Sequence, residues 1–200
     1  MPDRKAPGWR WQDEAAGGGM MDENHLTRRV VGFHDIRFDG LSDLLMRARG
    51  ASIIDIGMNR GHVAYEFAVN GARLVHGCDI YAAGVMAARH WFAELPHIES
   101  KFEVVNLAEP GALTKAFGSE GYDITLFIGV YHKLSRILDS KGLSDLVRDI
   151  GRRSLTYCGA MVHPEHLKTI DADMAAEGLK RIHTSELAYP GRPAVIWKRK

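Results

Sequence analysis

The sequence predicts an α/β fold: a doubly wound, mostly parallel seven-stranded sheet with a C-terminal antiparallel hairpin, layered α/β/α. Three observations lead there. From Ala51 onward, short apolar runs alternate with stretches of helical period. The first of them, "ASIIDIG", is nearly all apolar, the pattern of a parallel strand covered on both faces. The chain then closes on two strand-like runs, "LKRIHTSEL" and "PAVIWKRK", separated only by "AYPG". Strands joined that briefly must run antiparallel.

The elements follow in order. "ENHLTRRVVGF" is a possible helix, and "LSDLLMRA" is a short one with Ser42 placed to cap its first turn. "ASIIDIG" is the first strand. "HVAYEFAVNG" sets Val63, Phe67 and Ala68 at helical spacing, with Asn70-Gly71 as its stop. "ARLVHGCDI" is the second strand, and "AAGVMAARHWFAELP" places Val85, Ala88, Phe92 and Leu95 on one helical face before Pro96. "KFEVVNL" is the third strand, backed by a short helix from Ala112 to Phe117. "YDITLFIGV" is the fourth, and "GLSDLVRDIG" carries an apolar stripe of Leu143, Leu146, Val147 and Ile150. "SLTYCGAMVH" is the fifth, after which Pro164 opens "PEHLKTIDADMAAEG" as a helix. Residues 1–24 are polar and glycine-rich with no sustained period. They are expected to form a flexible arm, leaving 25–200 as the single domain.

Composition narrows the class. Two hundred residues, 46% of them apolar, suffice for one good core. A formal charge of +1 gives no global pull towards nucleic acid or an anionic membrane. Cys78 and Cys158 fall within predicted strands and read as reduced core thiols. No apolar run reaches the ~20 residues of a membrane span, and the N-terminus lacks the apolar segment of a signal peptide. The expectation is a cytoplasmic protein with no membrane partner.

In doubly wound sheets, ligands sit beyond the carboxyl ends of the strands, where strand order reverses. The turn in "IIDIGMNRG" falls at that edge. A P-loop would need a lysine followed by serine or threonine, and this turn has neither. A dinucleotide turn needs glycine at alternate positions, so that backbone can approach the pyrophosphate. Here Asn59 stands in the middle place and would crowd it, and Asp55 adds negative charge nearby. A cationic or neutral ligand suits that turn better. S-adenosylmethionine, which carries a sulfonium, an ammonium and a carboxylate but no phosphate, is such a ligand. Asp79, at the end of "VHGCDI", can accept from both ribose hydroxyls or cap the following helix.

"IIDIGMNRG" looks like the first motif of the class I S-adenosylmethionine-dependent methyltransferases. "VHGCDI" resembles their second-strand acidic motif, "YDITLFIGVYHKL" their fourth-strand motif, and the final hairpin their antiparallel end. The resemblance runs from Ala51 to Lys200. Its wording is nearest a branch that includes tRNA wobble-uridine modifiers and some sugar or polysaccharide O-methyltransferases. It implies that Asp55, Gly57, Met58, Asn59 and Gly61 form the methionine-side loop. Asp79 would bind the ribose and Ile80 the adenine face. Asn106, with Leu107, stands where the family often has an acid against the adenine amino group; an amide can serve there or simply form a turn. Gly129 and Val130 would border the transferable methyl, and S-adenosyl-L-homocysteine would be the product.

Displacing a sulfonium needs a base only when the acceptor must lose a proton. His132 in "GVYHKL" is the candidate, against a local hydrogen-bonding role, and Tyr131 could line the acceptor pocket. "HPEH" brings His163, Glu165 and His166 together, but no pair of acids closes the fourth strand, so no metal is expected. The acceptor is expected to be small or sugar-like, offering oxygen or nitrogen, with "VYHKLSRILDSKG" and "AYPGRP" shaping the choice. An RNA acceptor is the alternative, and a non-catalytic fold that binds the cofactor or supports a partner is another. The oligomeric state is left open.

Overall fold

Every residue of the first strand is buried, and that strand lies in the middle of the sheet. The computed structural model describes residues 40–186 and 192–200, all within one unit, Ile36–Lys200. The expected arm at 1–24, the possible helix at 23–33 and the "AYPG" loop lie outside the described residues. The elements are α1 (Ser42–Leu45), β1 (Ser52–Ile56), α2 (His62–Val69), β2 (Leu74–Asp79), α3 (Ala82–Ala93), β3 (Glu99–Val104) and α4 (Ala112–Phe117). They continue with β4 (Tyr122–Ile128), α5 (Tyr131–Leu134), α6 (Ser140–Arg153), β5 (Ser154–Met161), a 3-10 turn (Pro164–His166), α7 (Leu167–Ala176), β6 (Leu179–Thr184) and β7 (Ala194–Arg199).

The seven strands are ordered β3-β2-β1-β4-β5-β7-β6. All neighbours pair in parallel except β7, which is antiparallel to both β5 and β6. The expected sheet and closing hairpin are therefore present. Strand order reverses between β1 and β4, so the carboxyl ends of those two strands flank the crevice where such sheets take ligands.

Alternation along each strand divides the interior into two cores. Ile53, Ile124, Leu126, Met161 and Ile196 face α1, α2 and α3. Ile54, Ile56, Phe127, Cys158, Val195 and Trp197 face α4 to α7. Trp91 and Phe92 belong to the first core and Trp197 to the second, so all three are packing residues. Both cysteines are free thiols buried in the second core. No helix among the described residues is long and apolar enough to cross a membrane.

Four local expectations change. Ser42 does not cap α1: it is the first helical residue, Leu41 holds the cap position, and no side-chain bond is made there. Strand β3 begins two residues before the predicted run and stops at Val104. The Val105 amide still donates to the Asp79 carbonyl at 2.9 Å, but the next residue turns the chain away. Helix α6 starts at Ser140, because the Asp139 carboxylate accepts the Gly142 N–H at 2.7 Å and caps it. The four-residue α5 is too short to leave a period in the sequence.

Candidate functional site

The loop after β1 is anchored to the end of β2. The carbonyl of Cys78 accepts from Gly57 N–H at 2.8 Å and from Met58 N–H at 3.0 Å. One residue on, Asn59 N–H donates to Asp79 Oδ2 at 2.7 Å, and Tyr81 N–H donates to Asp79 Oδ1 at 2.9 Å. Each carboxylate oxygen thus keeps a lone pair for a further donor. Asp79 is not the cap of α3, whose cap position is Tyr81.

Asn59 is the one described non-glycine residue at positive φ, 55°. Asparagine tolerates that conformation best after glycine, so the side chain expected to crowd a pyrophosphate also shapes the loop. Its Oδ1 is buried without a hydrogen-bond partner among the described residues. A buried acceptor of this kind costs about 1–3 kcal/mol unless a donor meets it. Asp55, buried on β1, lies just before the same loop.

Glycines at the loop and around it make close approaches. Gly57, at φ 79°, lies against the Val130 side chain, which stands where a Cβ would be, so the loop touches the end of β4. Gly84 on α3 lets the Asn59 carbonyl sit where its own Cβ would come within 2.5 Å. Gly84 is not among the residues expected from the sequence, although a glycine inside "AAGVMAA" is the signal of a close backbone approach. Gly61 caps α2 in the left-handed conformation and packs towards Ala88 of α3. Met58 turns its side chain inward over Gly77, so only its backbone belongs to the loop surface.

Beyond β2, Ile80 is 66% exposed, an apolar surface at the crevice edge next to Asp79. Asn106 forms a turn: its Oδ1 accepts from Ala108 N–H at 3.1 Å and its Nδ2 faces Glu109 Oε1 at 3.4 Å. Leu107 is buried behind it, in the second core.

At the end of β4, Gly129 has φ 70° and Val130 leads into α5. Tyr131 is buried, edge-on to Phe127 at 6.4 Å and 4.9 Å from the His166 ring. Burial, with Asp173 nearby, raises its pKa, so the phenol stays protonated. His132 is half-buried and meets Arg192, whose Nη2 lies 3.4 Å from its Nε2. Arg192 Nε also donates to His163 Nε2 at 3.1 Å. The His132 and His163 rings stand 5.9 Å apart, and His163 is 6.4 Å from His166. Burial, then Arg192, Lys133, His163 and Arg136, pushes His132 down to about 4. Since guanidinium can only donate, the His132 Nε2 lone pair points at Arg192.

The two segments expected to shape acceptor choice do meet, through His132 and Arg192. Arg192 itself was not singled out in the sequence, where it is one basic residue in a turn. Among the described residues, no three histidine, cysteine or acidic side chains are gathered as a metal site.

No family model and no curated protein matches the sequence. Solved structures do match. Magnesium protoporphyrin IX methyltransferase from Synechocystis, with bound S-adenosylmethionine, has a TM-score of 0.66 at 17% identity, over 98% of this chain and 93% of that one. A TehB-like S-adenosylmethionine-dependent methyltransferase from Corynebacterium glutamicum has a TM-score of 0.59 at 16% identity, over 96% and 95%. A ribosomal-protein methylase from Lactobacillus delbrueckii has a TM-score of 0.58 at 14% identity, over 80% and 77%. With its reversed seventh strand and its glycine loop at the β1–β4 crevice, the chain has the fold of the class I S-adenosylmethionine-dependent methyltransferases.

Proposed function

We propose that the protein is a methyltransferase that moves the methyl group of S-adenosylmethionine to an oxygen or nitrogen of a small acceptor. The observation that carries this reading is the pairing of Asp79 with the Asn59 loop. The loop presents a buried amide oxygen without a partner among the described residues, and the aspartate keeps an acceptor site on each oxygen. Such a surface asks for a ligand that donates hydrogen bonds and carries positive charge, as an ammonium and ribose hydroxyls do. It repels a diphosphate.

Bound S-adenosylmethionine supplies a sulfonium methyl that an acceptor nucleophile displaces directly. In this reading, Asn59 Oδ1 and Asp55 face the methionine side, Asp79 holds the ribose, and exposed Ile80 covers the adenine. Asn106 sets the turn beneath the adenine, and Gly129 and Val130 bound the methyl. His132 is neutral at physiological pH but a weak base. Its role is to position Arg192 more than to remove a proton, and the acceptor then reacts in a form that needs little deprotonation.

Calorimetric titration with S-adenosylmethionine, S-adenosylhomocysteine and NAD tests the donor. Binding of the first two and not of NAD is the expected result; binding of NAD alone would refute the reading. Labelled-methyl transfer to a fractionated lysate then separates acceptors, since a labelled small-molecule fraction supports a small acceptor and a labelled RNA fraction replaces it with RNA.

A further inference from the structure

We propose that Arg192 is a specificity-determining residue that grips an anionic group, a carboxylate or a phosphate, on the methyl acceptor. The inference rests on the methyltransferase reading, because it takes the end of β4 as the place where acceptor and donor meet.

The company Arg192 keeps is the first support. Several other arginines are neutralised or committed to carbonyls: Arg89 pairs with Glu103, Arg148 with Asp173, and Arg199 donates to three backbone carbonyls. Among the described residues Arg192 forms no ion pair, and its two partners are imidazole nitrogens. Histidines that accept from a guanidinium orient it without cancelling its charge. Glu165, the acid in the same turn as His163, is exposed and forms no ion pair among the described residues. Lys133 and Arg136 on the α5 side add to the positive field.

Geometry is the second. Nε is directed to His163 and one Nη2 proton to His132, which leaves both Nη1 protons and the other Nη2 proton of the fork. Those donors match the two oxygens of a carboxylate or phosphate. Nη1 lies 3.8 Å from the point where a Cβ on Gly129 would stand, so this end of the fork reaches the bare backbone at the end of β4. The next residue, Val130, packs on Gly57 of the loop. An anion on Arg192 is therefore held one residue's reach from the place assigned to the methyl. Two histidine supports fix its approach, as a positioned substrate clamp requires.

The test uses the full chain and follows the His132 and His163 ring signals by NMR, with and without S-adenosylhomocysteine. Inorganic phosphate and acetate are titrated separately against chloride at matched ionic strength. The expected result is a saturable shift of both rings with at least one oxyanion, and the tighter of the two identifies the group. Arg192→Gln should weaken that binding by at least about tenfold, with Arg192→Lys falling between because lysine keeps the charge and loses the fork. No saturable shift with either anion in the native protein overturns the proposal, as does an unchanged dissociation constant in Arg192→Gln. Failure to bind S-adenosylhomocysteine with the anion response intact would remove the donor reading and leave the anion site standing. Normal binding of S-adenosylhomocysteine with no anion response would do the reverse.

Discussion

Asp79 holds the loop and, in the proposed complex, the ribose. The Asn59 and Tyr81 amides occupy one lone pair on each oxygen before any ligand arrives. Removing the carboxylate therefore acts twice. Asp79→Ala should lower the stability of the ligand-free protein by about 1 kcal/mol, the cost of losing two partly buried hydrogen bonds that water can in part replace. It should also abolish the thermal shift produced by S-adenosylmethionine. A variant that melts normally and still binds would assign Asp79 no part in either task. At the same scale, acid should act through two histidines whose pKa lies below the ordinary 6.5. His132 falls to about 4 by burial and by Arg192, Lys133, His163 and Arg136. His76 falls by burial, opposed by Glu120 and Glu99 and aided by Lys101, with its Nδ1 2.7 Å from the Tyr122 hydroxyl. For a depressed imidazole, the unfolded chain takes up the proton first. Stability is therefore full above 6.5 and declines as pH falls from 6.5 towards 4. Urea midpoints across that range should drop with acid, and less steeply in His132→Gln and His76→Gln. A slope unchanged in both variants would assign the acid sensitivity to other groups.

At the scale of elements, the loop and the helix caps decide how well the strands place their ends. Gly57 lies at φ 79° against Val130, so Gly57→Ala meets both backbone strain and a clash. Its expected effect is to push the Asn59 turn off β4 and weaken S-adenosylmethionine binding by at least about tenfold, more than it lowers the melting temperature. Asp139→Ala removes the cap of α6 and should cost about 1 kcal/mol by urea denaturation, with ligand binding untouched. These elements were unequally legible in the sequence. The central strands and long helices follow from apolar runs and helical stripes, which packing then only sharpened. The apolar Val104, Val105 and Leu107 extend the predicted third strand past the true end of β3, while the Asn106 side-chain turn that stops it is a polar detail without period. Helix α5 has one turn and no stripe to read. The loop was legible through Asp55, Asn59 and Asp79, residue types whose charge and conformational tolerance are local. The Arg192–His132–His163 cluster was not: it joins β4, β5 and β7 across 60 positions of chain, and only the topology brings it together.

At the scale of the whole molecule, the sheet separates two cores but should open as one unit, since every strand contributes to both faces or bridges a neighbour. Cys78 and Cys158 offer a direct probe. They belong to β2 and β5, on opposite sides of the β1–β4 crevice, yet both point into the second core. Burial pushes each thiol up to about 12, so at neutral pH neither forms thiolate in the folded chain. Labelling by a thiol reagent must then wait for opening. If the sheet opens cooperatively, both cysteines should react at one common rate, slower than the denatured chain by at least about a thousandfold. Adding S-adenosylmethionine should slow both equally, because a ligand bound only to the folded state shifts the global equilibrium. Mass spectrometry of singly labelled protein checks this, using Cys78→Ala and Cys158→Ala to assign the sites. Faster reaction at Cys158 would mean that the β5–β7–β6 half opens on its own. The ligand would then protect Cys78 more than Cys158, and the crevice would be a boundary between two cooperative units.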